Sequence, residues 1–274
     1  RSVCALVNIS RSAALKTIVN DGTAKLAMDT ATDPIGNNLL RALRLDDWNI
    51  LEHKLEAWSA PTGAVLHEPG DTVRFAYFPR GASLISYLVV LQDGRAIETA
   101  LVGREGAVGG FVSQGHLPAY TRAEVQLGGS FLRIDLRELE EAKTRSPTLR
   151  YLFARYADCL MAQVFQSVAC NAAHSIEQRT AKWLLAAAER TGSVDIALTQ
   201  EQLAAMLGVG RSYLGRVIHD LRQRGVIETR RGRIAIRNSE GLRALACECN
   251  TAVSRHFDDV LKGVYPAEPA SANI

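Results

Sequence analysis

The chain has 274 residues, 47% hydrophobic and 22% charged, so it can bury substantial cores, most simply in two domains. Its longest apolar runs, such as YLVVL, fall far short of the roughly 20 residues a membrane-spanning helix needs. The opening stretch RSVCALVNISRSAALK is too interrupted for a secretory h-region, so a cytoplasmic protein without a membrane partner is expected.

Five cysteines (Cys4, Cys159, Cys170, Cys247 and Cys249) are odd in number and lack the spacings of a disulfide framework. The first methionine is Met28. Translation is expected to start there, or residues 1–27 to form a loosely ordered extension, and residues 1–36 are set apart as an N-terminal extension.

From Asn37 to about Leu55, apolar residues at helical spacing predict short helices. Between Pro61 and Ile134 the texture changes to short runs of strand formers: AVLHE, RFAYFP, SLISYLVVL, AIETALV, AEVQL and SFLRI. Turn signals separate them at Pro69-Gly70-Asp71, Asp93-Gly94 and Gly128-Gly129. Short strands with tight turns predict an antiparallel barrel or jelly roll over residues 37–146.

Helices return after Asp135, and Pro147 can begin the next one but could not lie inside it. The long segment 147–172 places Leu149, Phe153, Tyr156, Leu160, Val164 and Val168 on one apolar stripe. Such a stripe packs either on the chain's own barrel or on a twin across a two-fold axis. Dimerisation is the expectation. Leu152, Met161 and Phe165 lie off the stripe, so two faces of the helix can be covered. A second helix, HSIEQRTAKWLLAAAERTG, stops at Gly192, which puts the hinge near Cys170–His174.

Between Arg211 and Arg237 there are eight arginines against only Asp220 and Glu228, while the whole chain carries a net charge of +3. So local an excess points to a surface for an anionic polymer. Thr199 and Gln202 have the spacing of a capping box at the head of a short helix with Leu203, Met206 and Leu207 on its inner side. Gly208-Val209-Gly210 stops it and starts another, with Leu214, Val217, Ile218 and Leu221 inward. Polar side chains then face outward, and VIETRRGRIAI follows as two short strands around Arg231-Gly232. This is the pattern of a winged helix-turn-helix, and double-stranded DNA is the expected partner. Arg211 and Arg216 are the candidates for bidentate bonds to guanine, with Ser212 and His219 secondary. Thr199, Gln200, Tyr213, Arg230, Arg231 and Arg233 are assigned to phosphates, although Tyr213 could also read a base or simply pack. The domain closes at residue 250, and residues 251–274 are expected to be a C-terminal tail.

With a barrel, a long helix and a winged helix-turn-helix in that order, this α+β chain resembles the Crp/Fnr superfamily of bacterial transcription regulators. The likeness runs from about Asn38 to Cys249. It rests on YFPRGASLISYLVVLQDGRAIETALVGREGAVG, ACNAAHSIEQRTAKWLL and LTQEQLAAMLGVGRSYLGRVIHDLRQRGVI. The resemblance implies a cyclic-nucleotide-binding-type sensor barrel, a homodimer and a near-palindromic operator. It also implies RNA polymerase and a small-molecule effector as further partners. Family recognition helices often read Arg-Glu where this chain has Arg211-Ser212.

The effector region departs further from the family. Cyclic-AMP-responsive members carry a Gly-Glu pair and an Arg-Ser pair where this chain has Gly109-Gly110 and Thr121-Arg122. The carboxylate that would hold the ribose is missing, so cyclic AMP is not expected to bind in the usual way. Only Cys4 lies upstream of Cys159, which leaves too few thiols for an N-terminal iron–sulfur cluster. His53, His67 and His116 are isolated, and no haem is expected.

Cys247 and Cys249 follow the helical-looking SEGLRALA. Two residues apart on a helix they would point to opposite sides, so no metal is expected there. A single redox-sensitive thiol among the five cysteines stays open. No G-x-S-x-G, H-E-x-x-H or Walker A pattern occurs, and GREGAVGG lacks the dinucleotide fingerprint. A cupin-like enzyme would need a His/Glu cluster that the sequence does not offer. The chain therefore reads as a regulator rather than an enzyme, with no cofactor predicted. A ligand-independent transcription factor that uses its barrel only as a scaffold is the alternative.

Overall fold

The computed structural model describes residues 36–111 and 117–262; the 1–27 extension, Cys4 and His116 lie outside them. Two short helices, α1 (Asn38–Arg41) and α2 (Leu45–Leu51), precede the barrel. Asn37 anchors them: its Oδ1 accepts from the Leu40 N–H at 3.1 Å, and its amide donates to the carbonyls of Pro79 and Gly106. This buried side chain thereby caps α1 and ties it to the barrel.

The barrel comprises β1 (Glu56–Ala60), β2 (Val65–His67), β3 (Phe75–Pro79), β4 (Leu84–Val90), β5 (Ala96–Val102), β6 (Arg122–Leu127) and β7 (Gly129–Asp135). They form two antiparallel sheets, ordered β1-β7-β3 and β2-β6-β4-β5. Tyr77, Ile85, Val102, Val125 and Phe131 fill the space between them. The jelly-roll reading holds. Strand β1 was not expected, because EAWSA alternates weakly and holds one strong strand former, Trp58. What places it is its partner: Glu56 lies opposite Arg133, and the two form a 3.0 Å ion pair across the ladder.

Helices α3 (Leu136–Arg145) and α4 (Pro147–Ala173) follow. Pro147 opens α4 behind the N-cap Ser146, as the sequence predicts. The stripe of α4 divides. Leu149, Phe153 and Tyr156 are wholly buried within the chain, against Phe78, Phe111 and Leu139. The Tyr156 hydroxyl donates to the Ala107 carbonyl and accepts from its N–H. These three cannot face a twin, which corrects their assignment to a dimer surface; Leu152, off the stripe, is buried as well, and Leu160 and Val164 are half-buried. The large apolar side chains that α4 leaves open are Tyr151, Met161, Phe165 and Val168.

The C-terminal part contains α5 (Ile176–Thr191), β8 (Asp195–Ile196), α6 (Gln200–Leu207), α7 (Arg211–Gln223), β9 (Ile227–Arg230), β10 (Arg233–Ile236), α8 (Ser239–Leu245) and α9 (Cys249–Lys262). The wing is three-stranded, in the order β8-β10-β9, because Asp195 and Ile196 pair with β10 and complete it. Instead of a tail, residues 249–262 form a helix that returns to α4. Val253 and Phe257 enter the same core as Tyr156, whose ring meets Phe257 edge-on at 6.1 Å. Apolar positions at that spacing make α9 amphipathic, and the α4 surface gives it somewhere to bury them. Among the described residues, no helix is long and apolar enough to cross a membrane.

Candidate nucleic-acid interface

Local chemistry shapes the helix-turn-helix. The Thr199 hydroxyl accepts from the Gln202 N–H at 3.1 Å, and Gln202 Oε1 accepts from the Thr199 N–H at 2.9 Å, closing the expected capping box. At the other end of α6, Gly208 takes φ +70°, a left-handed conformation that only glycine enters without strain. Gly210 then caps α7. Leu214, Val217, Ile218 and Leu221 are buried against Leu184, Leu203, Leu207 and Val226, which fixes the outward direction of the remaining side chains.

The structure leaves Arg211, Ser212, Arg216 and His219 exposed on α7. Ser212, Arg216 and His219, spaced i, i+4 and i+7, lie along one stripe. Arg211 stands at the helix start, where its nearest carboxylate, that of Glu201, is 3.9 Å away and largely exposed. An ion pair this open to water is worth about 0–1 kcal/mol and yields readily to a better acceptor. The Arg216 guanidinium lies over the Tyr213 ring at 5.5 Å, so Tyr213 positions Arg216 in the free protein.

The phosphate candidates separate into three kinds. Arg231 sits exposed at the tip of the β9–β10 hairpin, without an ion-pair partner among the described residues. Arg230 is paired with Glu228 at 2.9 Å, and Arg233 with Asp195 at 2.6 Å. Hydrogen bonds from Arg237 first and Arg230 second hold the Glu228 carboxyl below the usual range. Gln200 is half-buried, and the Thr199 hydroxyl already donates to Gln202 Oε1 at 2.8 Å, so a phosphate there would compete with the cap.

This unit is seated on the barrel. Leu84, Leu101 and Leu127 share a core with α5 and α6. Arg190 on α5 pairs with Glu105 at 2.9 Å and donates to the Leu101 carbonyl. Glu98 on β5 accepts from Trp183 Nε1 at 2.8 Å and from the Ser86 hydroxyl at 2.5 Å. Burial raises the Glu98 carboxyl above its usual range, with both of these bonds opposing the rise. A raised carboxyl pKa means that the folded state binds the proton more tightly. Stability therefore falls as pH climbs from the ordinary glutamate value through the raised one, and the ionised side chain is a cost at neutral pH. Glu98→Gln keeps an acceptor for Trp183 and offers Ser86 a donor. Thermal melts should show the variant more stable than the parent at pH 8, with the difference gone below pH ~4. Equal melts at both values would refute this.

The effector region is occupied by the protein's own contacts. Arg122 is held by Glu68 at 2.9 Å and lies 3.8 Å from Glu124, so its charge is already met. Gly109 has φ +137°, and a Cβ there would lie 2.5 Å from the Phe75 carbonyl oxygen. Its N–H donates to the Tyr87 hydroxyl. Gly109 is thus required by close backbone packing of the barrel, whatever it binds. Gly110 and Thr121 are half-buried and bring no charge.

One grouping was missed by sequence reasoning. Cys247 and Cys249 do not share a helix, because α8 ends at Leu245 and α9 begins at Cys249. Their sulfurs meet Cys170 and His174 from the last turn of α4 and its cap, with all four ligand-type atoms within 4.8 Å of one another. The two segments are more than seventy residues apart, and no spacing rule links them.

The family profile of the Crp-like helix-turn-helix domain matches residues 178–245. A comparison with curated proteins yields no relative. Among solved structures, FixK2 from Bradyrhizobium japonicum is 18% identical with a TM-score of 0.59, over 70% of this chain and 98% of its own. The c-di-GMP-responsive global regulator CLP of Xanthomonas campestris is 16% identical with a TM-score of 0.58, over 70% and 99%. A transcriptional regulator of the Crp/Fnr family from Thermus thermophilus is 24% identical with a TM-score of 0.56, over 70% and 98%. The chain thus carries a Crp-like helix-turn-helix domain over residues 178–245, and its fold is the one seen in these Crp/Fnr regulators.

Proposed function

We propose that the protein is a homodimeric, sequence-specific DNA-binding regulator of transcription acting on a near-palindromic operator. The observation that carries this is the exposed stripe Ser212, Arg216 and His219, headed by Arg211, on a helix whose other face is fully buried. Two such helices, one from each protomer, enter successive major grooves about 34 Å apart. Arg211 and Arg216 read guanine O6 and N7, while Arg231 from the wing grips phosphate without reading sequence. Arg230 and Arg233 contribute after exchanging a carboxylate for a phosphate.

The barrel acts by favouring one spacing of the two helices over others, and an effector can shift this only through a difference in affinity between the two arrangements. A second reading is favoured by Arg122, which is paired with carboxylates where a cyclic-nucleotide phosphate would be bound. On that reading the barrel is a scaffold and abundance sets regulation. Selection of bound fragments from genomic DNA, with and without candidate metabolites and oxidants, distinguishes the two. A single enriched palindrome supports the regulator, and recovery of random fragments overturns it. Enrichment that changes with an added compound identifies a sensor.

Arg231→Ala should weaken binding to every duplex and lower the slope of log K against log salt by about 1 per protomer. A selective loss at the operator alone would contradict the phosphate role.

A further inference from the structure

The unforeseen cluster at the end of α4 carries chemistry of its own. Cys170 and His174 lie one helical turn apart and therefore on one face. Cys247 approaches them from the loop between α8 and α9, and Cys249 from the first position of α9. The Cys170 and Cys247 sulfurs are 3.6 Å apart, and Cys249 Sγ lies 3.5 Å from His174 Nδ1. Around a tetrahedral zinc with bonds of about 2.3 Å to sulfur and 2.0–2.1 Å to nitrogen, neighbouring ligand atoms stand ~3.8 Å apart for sulfur pairs and ~3.5 Å for sulfur with nitrogen. These two separations match those figures, and every other pair of ligand atoms in the cluster lies within 4.8 Å.

The surroundings match a metal centre as well. His174 Nε2 faces the Glu248 carboxylate at 3.6 Å, the arrangement that orients a ligating imidazole through its second nitrogen. Gln166 Nε2 donates to Cys249 Sγ at 3.2 Å, a bond that a thiolate accepts better than a thiol. Three thiolates and Zn²⁺ sum to −1. Burial works against the charge on the Arg179 guanidinium, negative charge on Cys170 and Cys247 would favour it, and no carboxylate pairs with it among the described residues. Its only hydrogen-bond partner among the described residues is the Leu207 carbonyl. It supplies the balancing +1.

We propose that Cys170, His174, Cys247 and Cys249 form a closed Cys3His zinc site that staples the end of α4 to the C-terminal side of the DNA-binding unit. Four protein ligands leave no open position, so the ion is structural and carries out no reaction. The site joins α4, whose exposed Met161, Phe165 and Val168 would meet the partner protomer on the regulator reading, to the segment that follows the wing and α8 in the chain. Binding zinc therefore fixes the recognition helix relative to the two-fold axis; this consequence rests on the regulator reading, whereas the metal site does not.

The test uses the full chain, purified without an affinity tag that binds metal. Elemental analysis should find about one zinc per protomer. Cys247→Ser and Cys249→Ser should each lower zinc retention at least tenfold, while Cys159→Ala, a buried thiol outside the cluster, should keep it. Because the serine variants could fold poorly, the chelator-stripped parent should also be titrated with Co²⁺. Strong visible bands of tetrahedral cobalt, with thiolate charge transfer in the near ultraviolet, are expected, and zinc should displace them. Absence of both signals at saturating Co²⁺ overturns the proposal, as does a Cys170–Cys247 disulfide in the metal-free native protein or zinc uptake unchanged in both serine variants. Specific DNA affinity, measured separately before and after chelation, should fall at least tenfold while random-DNA affinity stays. Zinc binding without that change would refute the staple and leave the site.

Discussion

Phe165→Glu should yield a folded monomer that binds the operator at least about 100-fold more weakly than the parent. Phe165 is 64% exposed in the isolated chain, with Met161 and Val168 on the same helix face at i−4 and i+3. Nothing inside the protomer is lost when it is replaced, so circular dichroism should be unchanged. Burying such a ring against a partner contributes about 1.5–3 kcal/mol, and a two-fold interface counts it twice. Glutamate removes that gain and sets two carboxylates against each other. Operator affinity then loses the linkage of two half-site contacts, which is commonly worth about 10²–10⁴. Sedimentation at micromolar protein, together with gel-shift titration, reads both effects. A variant that still sediments at twice the chain mass would remove α4 as the dimer contact. Truncating Phe153 provides the contrast: at about 3–5 kcal/mol for a buried ring, Phe153→Ala should unfold the protomer rather than separate a pair.

Arg216→Ala is expected to reduce discrimination between operator and random DNA by about 1–3 kcal/mol per half-site. The side chain is exposed, leans on Tyr213 and makes no ion pair among the described residues, so it can turn into a groove without disrupting the fold. The salt dependence of random binding should change much less than in Arg231→Ala, because a base contact releases few counterions. Titrating both duplexes at several salt concentrations tests this, and an unchanged ratio would exclude Arg216 from base reading. Ser212 occupies a position where related recognition helices often carry glutamate. Its short hydroxyl places less demand on the opposing base, so Arg211 and Arg216 should dominate sequence preference.

What could be read directly from the sequence was local. The Thr199/Gln202 capping box, the stop at Gly208, the inner face of α7 and the barrel turns are each governed by residues within a few positions of one another. Hydrogen-bond geometry and side-chain periodicity therefore fix them before any tertiary contact forms. Tertiary structure decided the rest. Leu149, Phe153 and Tyr156 carry the same periodicity whether they meet a barrel or a twin, and only the presence of Phe78, Phe111 and Phe257 around them settles which. Strand β1 exists because β7 offers it an edge, and α9 folds because α4 leaves a groove that Val253 and Phe257 fill. Cys170 and His174 come to face Cys247 and Cys249 because the chain runs out through the DNA-binding unit and returns to α4. Short-range rules describe how a segment folds, whereas which distant segments meet depends on how all of them bury their apolar faces together.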